Sequence, residues 1–313
     1  MALRPIASFL CFATLAGCTL IDLTELGGDS GAGQSGGESS AGNGPNGGSP
    51  DTGGSTGQGA NGNGGAPPDP TYDACIVGDE PAVFFRLNSA SDATSEANLG
   101  SLSGAGTFSG SHVPFLPGLV DDDDASTMFA DQIEAGQLAF TSDGDTLSGA
   151  QPFSFEAWVR MPLTVATTSL IKCEQGGNLL ELRVLDEAEP APDKIQLRFV
   201  LPTAYGRTVG AELSREMIGQ TVHIVAVYRQ NDQTVFTGGN ALSDDMVLYL
   251  NGKLASDDTT GIEIAMPSFV TDLHIGNGFE GLLDEVAVYP RELSAAEVAH
   301  HHALGLDASL GCD

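Results

Sequence analysis

Asp284 is the residue of this chain whose setting most directly implies chemistry. It lies in an apolar run, Gly281–Tyr289, in which Val286 and Val288 follow at alternate positions. Alternate side chains of a β-strand line one face, so the spacing predicts a carboxylate that points inward with these valines. A buried ionised carboxylate needs hydrogen-bond donors or a metal ion. Two interpretations stay open: Asp284 is a calcium ligand, or it is a structural acceptor for backbone N–H groups of a loop.

Two other clusters contain metal-ligating residue types at unsuitable spacings. The run Asp121–Asp124 has no register with the glycine and glutamate that an EF-hand loop requires, which favours a solvated loop. In His300-His301-His302, successive helical residues point about 100° apart, so the three side chains do not converge on one ion. We expect His302 to pack against the domain instead.

The sequence lacks the patterns that would predict an enzyme. It contains no His-Glu-x-x-His zinc motif. Two Gly-x-Ser-x-Gly matches, Gly33–Gly37 and Gly53–Gly57, fall in a Gly/Ser tract with no preceding strand, which a nucleophile elbow requires. We therefore predict a binding protein.

The charge balance narrows the partners. Lys and Arg number 12 against 42 Asp and Glu, which gives a formal net charge of −30. Nucleic acids and anionic membrane surfaces repel such a polyanion, so neither is a predicted partner. Divalent cations, neutral sugars and basic proteins remain compatible with it.

Residues 1–17 read as a targeting segment, with Arg4 before a short apolar run. That run is too short to span a bilayer as a helix. It ends in Leu15-Ala16-Gly17-Cys18, which resembles the lipobox of bacterial lipoproteins. The resemblance implies a lipid on Cys18 and, because Thr19 rather than Asp follows, an outer-membrane location. An ordinary secretory signal that happens to end in cysteine is the alternative.

Residues 18–71 form a predicted tether. Nearly half of residues 27–66 are glycine, and this stretch contains no Lys, Arg or aromatic residue. Such a composition cannot bury enough apolar surface to offset its ordering entropy. A Gly/Ser-rich coil of about 50 residues spans roughly 40 Å, so it would separate the folded domain from the lipid.

Residues 72–313 have the texture of an all-β domain, with short apolar runs between Gly, Asp, Asn and Pro clusters. Asn251-Gly252 predicts a two-residue hairpin. Ser294 and Glu297 form a capping box for one helix, for which Gly305 is the predicted C-terminal signal. The predicted strands are Ala82–Leu87, Gly136–Phe140, Phe153–Met161, Ser169–Cys173, Asn178–Leu185, Lys194–Leu201, Val222–Arg229, Asp245–Leu250, Asp272–Ile275 and Gly281–Tyr289.

Four motifs in this region resemble the laminin-G-like, concanavalin-A-like jelly-roll domains. They are an aromatic strand that ends in tryptophan, a central hairpin, a Gly-Leu-Leu-Asp-Glu-Val block and a closing helix. They occupy Phe153–Val159, His223–Gly252, Ile275–Val286 and Leu293–His302. The resemblance implies a two-sheet antiparallel β-sandwich with one short C-terminal helix, and a core position for Trp158.

The resemblance also suggests a calcium site. Many relatives hold calcium between an Asp-x-x-Gly-Asn loop and the Asp of the Asp-Glu-Val block. Here the loop contains Glu96 and Asn98, so the implied ligands are Asp284, Glu96 and Asn98. Jelly-roll glucanases use Glu-x-Asp-x-x-Glu on one strand, and that spacing is absent from the sequence.

The remaining cysteines are Cys75, Cys173 and Cys312. Cys75 and Cys312 lie at opposite ends of the domain and would form a disulfide if the termini of the sandwich lie side by side. Cys173 reads as a buried free thiol.

These inferences predict a surface-displayed module that binds glycan or protein ligands in adhesion or recognition. The alternative is a structural subunit that docks on envelope proteins without binding sugar. A polysaccharide-degrading enzyme is a weaker alternative.

Overall fold

The computed structural model describes residues 71–90, 92–122, 124–129, 136–142, 151–162, 167–175, 178–187, 194–200, 208–229, 245–258 and 272–312. All of them lie in one compact unit, Asn63–Asp313. The predicted signal, the predicted lipidation site Cys18 and most of the predicted tether are outside the described residues.

The described residues form strands and two α-helices. The strands are β1 (Val83–Phe85), β2 (Ser95–Ala97), β3 (Ala105–Ser109), β4 (His112–Pro117), β5 (Ala125–Phe129), β6 (Gln137–Thr141), β7 (Phe153–Arg160), β8 (Thr168–Gln175), β9 (Asn178–Glu187), β10 (Lys194–Val200), β11 (Thr208–Leu213), β12 (Thr221–Arg229), β13 (Asp245–Leu250), β14 (Lys253–Asp258), β15 (Asp272–Ile275) and β16 (Gly281–Tyr289). The helices are α1 (Tyr72–Gly78) and α2 (Ala295–Leu306), and a 3₁₀ turn covers Arg215–Met217.

The strands build two antiparallel sheets, as the family resemblance implied, and each sheet has eight strands. Sheet A has the order β14-β13-β12-β7-β16-β5-β4, and β1 also pairs with β16. Sheet B has the order β11-β10-β9-β8-β15-β6-β3-β2. The arrangement is a two-sheet β-sandwich.

The central strands of sheet A carry apolar residues on both faces, and both faces are covered. Along β12, Ile224 and Ala226 belong to the main core, whereas Val225 and Val227 belong to a second apolar cluster. The second cluster includes residues of α1 and α2, so the two helices cover the face that sheet A turns away from the main core. This double coverage explains the continuous apolar runs in the sequence.

Helix α2 begins as predicted but docks differently. Both hydrogen bonds of the Ser294–Glu297 capping box are present. The buried positions are Val298, His301, Leu304 and Gly305, whereas the sequence predicted the face of Val298 and His302. The prediction that Gly305 ends the helix is also wrong, since α2 continues to Leu306. A β-carbon at Gly305 would overlap the Trp158 ring, so this glycine lets the helix pack closely on Trp158.

Trp158 is a core residue, as expected, and is 1% exposed. Its Nε1 donates to the Tyr72 hydroxyl over 2.9 Å, and its ring stacks on His302 at 5.8 Å between centroids. The tryptophan therefore ties both helices to sheet A.

The predicted disulfide joins Cys75 in α1 to Cys312, with 5.1 Å between the Cα atoms. Cys173 is a buried free thiol, and burial raises its pKa to about 12. Within the described ranges, no helix has the length and apolar character needed to cross a membrane.

Candidate metal centre

Asp122, Asp124 and Glu285 form a compact carboxylate cluster. One carboxylate oxygen of each lies within 4.8 Å of the others. Asp122 and Asp124 come from the loop between β4 and β5, and Glu285 comes from β16. Asp284 precedes Glu285 in β16, and burial and the charges of Asp124 and Asp122 raise the pKa of its carboxyl group.

A β-bulge in β16 brings the two consecutive acids Asp284 and Glu285 to this place. The pairing of β16 with β7 shifts register between Asp284 and Ala287, and Glu285 has a φ of 49°. Such a bulge inserts one extra residue and interrupts the alternation of side chains. Both acids are consequently buried, at 0% and 1% exposure.

The predicted orientation of Asp284 is wrong because of this bulge. Val286 and Val288 point into the main core, as expected. Asp284 instead pairs with Trp158, which belongs to the second apolar cluster. Its carboxylate is therefore buried on the opposite side of sheet A from the valines, since strand alternation holds only where no residue is inserted.

Asp284 has one satisfied oxygen and one unsatisfied oxygen. Its Oδ2 accepts from the Leu119 backbone N–H over 2.7 Å, which is the structural role that the sequence left open. Its Oδ1 has no protein partner. Burial raises the pKa of Asp284 well above its usual value, the Leu119 N–H opposes this, and the nearby Asp124 and Asp122 add to the rise.

Arg86 supplies a cation to the cluster. Its Nη2 lies 3.1 Å from Asp122 Oδ2 and 2.6 Å from Asp124 Oδ2, and its Nε lies 3.4 Å from Glu285 Oε1. Its Nη1 reaches Asp73 of α1 at 3.3 Å. Burial works against the charged guanidinium, but these carboxylates outweigh it and raise the pKa of Arg86.

The single positive charge of Arg86 does not neutralise the negative charges of the carboxylate cluster and Asp284. Burial and the neighbouring Asp122 raise the pKa of Asp124 to about 7, even though Arg86 and Asn88 oppose the rise. Burial and the charge of Asp284 likewise raise the pKa of Glu285. The site is electrostatically under-neutralised, so a divalent cation would be favoured there.

The donor set fits calcium. Asp124 Oδ1, Asp284 Oδ1 and Glu285 Oε2 are buried without a protein hydrogen-bond partner. Buried polar atoms are normally paired, and calcium takes several carboxylate oxygens in a flexible geometry. Asp122, Asp124, Glu285 and Asp284 are therefore the residues that would hold the ion.

The predicted partners of Asp284 lie elsewhere. Asn98 accepts from the backbone N–H groups of Phe84 and Gly100 and donates to the carbonyls of Ala82 and Leu102, so its amide closes its own loop. Glu96 is buried and accepts from the Ser89 hydroxyl. The structure does not gather Glu96 and Asn98 into the carboxylate cluster.

The acids that lie near Asp284 come from the Asp121–Asp124 run instead of from the loop with Glu96 and Asn98. The Asp122 side chain is fully buried, and that of Asp124 is 11% exposed. The prediction of a solvated loop is wrong for these two residues, because β4 and β5 place the loop against the end of β1 and the bulge of β16. The run of consecutive aspartates was the only sequence signal for this cluster. Its spacing could not show that Arg86 and Glu285, which are distant in the chain, lie beside it.

A second polar group, which the sequence did not reveal, lies beneath the helices. Glu156 of β7 is fully buried and receives His223 Nε2 at 2.7 Å, the Tyr289 hydroxyl at 2.8 Å and His301 Nδ1 at 3.0 Å. The other ring nitrogen of His301 lies 2.8 Å from Asp79 Oδ2. The side chains of Glu156, His223 and His301 are at most 1% exposed, so the group is structural.

The fold defines a class of protein, the concanavalin-A-like β-sandwich. Residues 134–299 match the family model Laminin_G_3, described as the concanavalin A-like lectin/glucanases superfamily. This match spans more than half of the chain, and the chain belongs to that family. No curated protein sequence matches the chain.

Solved structures share the fold at low sequence identity. A botulinum neurotoxin type C structure, in work that describes cell entry as dependent upon two ganglioside molecules, has a TM-score of 0.52 and 10% identity, and covers 73% of this chain and 52% of its own. The binding domain of botulinum neurotoxin DC in complex with SialylT has a TM-score of 0.51 and 8% identity, and covers 72% and 52%. Domain 4 of an arabinanase from Geobacillus stearothermophilus, in complex with arabinotriose, has a TM-score of 0.49 and 13% identity, and covers 71% and 98%.

This chain thus spans about half the length of the neurotoxin structures it matches.

Proposed function

We propose that this domain is a carbohydrate-binding module, displayed at the cell surface for adhesion or recognition. The observation that carries the proposal is membership in a family described as lectins and glucanases. Two structural neighbours whose descriptions name gangliosides and SialylT support a glycan as the ligand. The acids Glu156, Asp284 and Glu285 are buried at 0–1% exposure, and such burial within the sandwich supports binding rather than catalysis.

Glycan binding is testable on an array with the purified protein, residues 19–313. We expect retention on one class of glycan, with weaker retention after calcium is chelated. The variant to compare with the wild type is Asp284→Asn. It keeps an acceptor for the Leu119 N–H and removes a charge from the proposed calcium site. An array without any retained glycan, together with an envelope protein that co-purifies with the membrane-anchored form, would favour the structural-subunit alternative.

Calcium is the proposed ion of this module. When bound, it would neutralise the carboxylate cluster and fix the loop before β5 against β16. A ligand that binds only the folded state stabilises it by roughly 2.7 kcal/mol at a hundredfold excess over Kd. At about 2–4 °C per kcal/mol for a domain of this size, calcium should raise the melting temperature by several degrees.

Asp284 variants separate the two roles of this residue. Asp284→Ala should abolish the calcium increment and also lower the calcium-free melting temperature, because the Leu119 N–H loses its acceptor. Asp284→Asn should retain more of the calcium-free stability, since an amide oxygen still accepts. Differential scanning calorimetry with calcium and with chelator measures both effects. A wild-type curve that is indifferent to calcium would leave Asp284 as a structural residue.

The proposed anchor is a lipid on Cys18, which would place the module on the outer membrane through the tether. Cys18→Ser should release the protein from membranes or leave it unprocessed. Membrane fractionation and palmitate labelling measure this change. Unchanged partition and labelling in the variant would contradict the anchor.

A further inference from the structure

Arg86 reaches the carboxylate cluster through the register of two strands. β1 pairs with β16 so that Phe85 lies opposite Val286. One residue further, Arg86 and Glu285 leave the ladder beside the bulge, and the guanidinium meets Glu285 and the loop before β5. The cation is therefore placed by the same strands that place the acids, and it is 21% exposed.

The guanidinium uses oxygens that the ion would also use. It contacts one oxygen of each cluster member, Asp122 Oδ2, Asp124 Oδ2 and Glu285 Oε1. The second oxygens of Asp124 and Glu285 are buried without a partner. Arg86 therefore occupies part of the ligand set and leaves the remainder unsatisfied.

The charges lead to the same conclusion. When Asp122, Asp124 and Glu285 are all in the ionised form that binds a cation, the cluster and Arg86 together carry a net charge of −2, before Asp284 is counted. The net negative charge of the cluster attracts a divalent ion, whereas the positive charge of Arg86 repels the ion at close range. The guanidinium also contacts Asp73 of α1. It would therefore keep a carboxylate partner if calcium displaced it from the cluster.

We propose that Arg86 is an internal counter-cation that holds the carboxylate cluster together without metal and lowers its affinity for calcium by competition. The inference rests on the proposed calcium site. It implies a domain that is folded without calcium and responds to concentrations on the order of 10⁻⁴–10⁻³ M, the range of extracellular modules. The residue then sets the threshold at which calcium fixes the loop.

The test is calorimetric titration of calcium chloride into the purified protein, residues 19–313. Arg86→Gln should bind calcium at least tenfold more tightly than the wild type, because a competing charge is removed. Without calcium its melting temperature should fall, and saturating calcium should restore it. Arg86→Lys keeps the charge but loses the fork of donors, so its affinity should lie between the two.

Arg291→Gln is the matched control. Arg291 pairs with Asp79 and Glu297 rather than with the cluster, so this variant removes one positive charge elsewhere and should leave calcium affinity unchanged. Folded Arg86→Gln protein with equal or weaker calcium affinity would overturn the inference while leaving the calcium site intact. If Arg86→Gln folds only after calcium is added, the counter-cation role is supported.

Two other outcomes would overturn it. The first is an Arg86→Gln chain that stays unfolded in calcium, together with wild-type affinity in Arg86→Lys. The second is the absence of calcium binding in both the wild type and Arg86→Gln, which removes the calcium site as well. Glycan retention on the array in the presence of chelator would then still support the carbohydrate-binding proposal.

Discussion

Replacing His301 with glutamine should remove much of the pH dependence of folding stability between pH 6.5 and about pH 10. His301 holds α2 against sheet A with both ring nitrogens facing carboxylates, Nδ1 toward Glu156 at 3.0 Å and Nε2 toward Asp79 at 2.8 Å. Both nitrogens must carry a proton to donate, so the geometry requires the imidazolium form.

The magnitude follows from the change in pKa. Burial alone would lower the pKa of His301, but the charge of Glu156 and hydrogen bonds to Asp79 and Glu156 raise it from 6.5 to about 10. Because each pKa unit corresponds to about 1.4 kcal/mol, the charged form stabilises the fold by at most about 5 kcal/mol. That is a large share of the roughly 5–15 kcal/mol typical of a domain.

The sign is set by which state binds the proton more tightly. The folded state does, so the contribution is fully present below the unfolded pKa of 6.5 and is lost as pH rises through about 10. The free energy of unfolding, from urea titrations at several pH values across this window, should fall steeply for the wild type. His301→Gln should be less stable at low pH and should show a shallower slope.

His300→Gln is the control, since His300 precedes His301 on α2 and is only partly buried. Its pH profile should follow that of the wild type. Groups that titrate in the same window, such as Asp124, contribute equally to all three proteins and cancel in the comparison. Parallel profiles for the wild type and His301→Gln would refute the reasoning, because the protonated clamp would then contribute nothing to folding.

Two further predictions concern the attachment of the helices. The double variant Cys75→Ser/Cys312→Ser should lose about 5 kcal/mol of unfolding free energy in the chain-entropy model, since the bridge spans 237 residues; an unchanged urea midpoint would argue against this. Gly305→Ala should cost about 1–3 kcal/mol, because a β-carbon there overlaps the Trp158 ring. Gly78→Ala in α1, where a β-carbon meets nothing within 4 Å, should be neutral or slightly stabilising, and equal melting temperatures for the two variants would contradict the packing argument.

Among the strands that the sequence predicted, three are long apolar runs in the middle of sheet A. β7, β12 and β16 are continuous apolar runs because sheet A is covered on both sides. β2, β3, β4, β5, β11 and β14 were not among the predicted strands; β2 and β3 are short and expose every second residue. Helix α1 was also not predicted, because seven residues give too little periodicity to separate a helix from a strand.

The candidate site was likewise predicted only in part from the sequence. Asp284 and Glu156 are charged residues within apolar strands, and the sequence alone predicted burial for the first. The bulge that turns Asp284 away from Val286 follows from the pairing of β16 with β7, which no local pattern reports. The disulfide was predicted from the placement of its cysteines at the two ends of the domain, and the structure contains it.

The sequence by itself determined the all-β class, the capped C-terminal helix and the burial of Asp284, because periodicity, capping and turn chemistry act between residues close in the chain. The two-sheet sandwich was implied by the resemblance to the jelly-roll family. Only the tertiary structure decided which groups share the site. Arg86 and Glu285 meet across 199 positions, and Asp284 and the Leu119 N–H meet across 165. Such contacts depend on strand order, register and one inserted residue, and these are fixed when the two sheets pack rather than by any local run of residues.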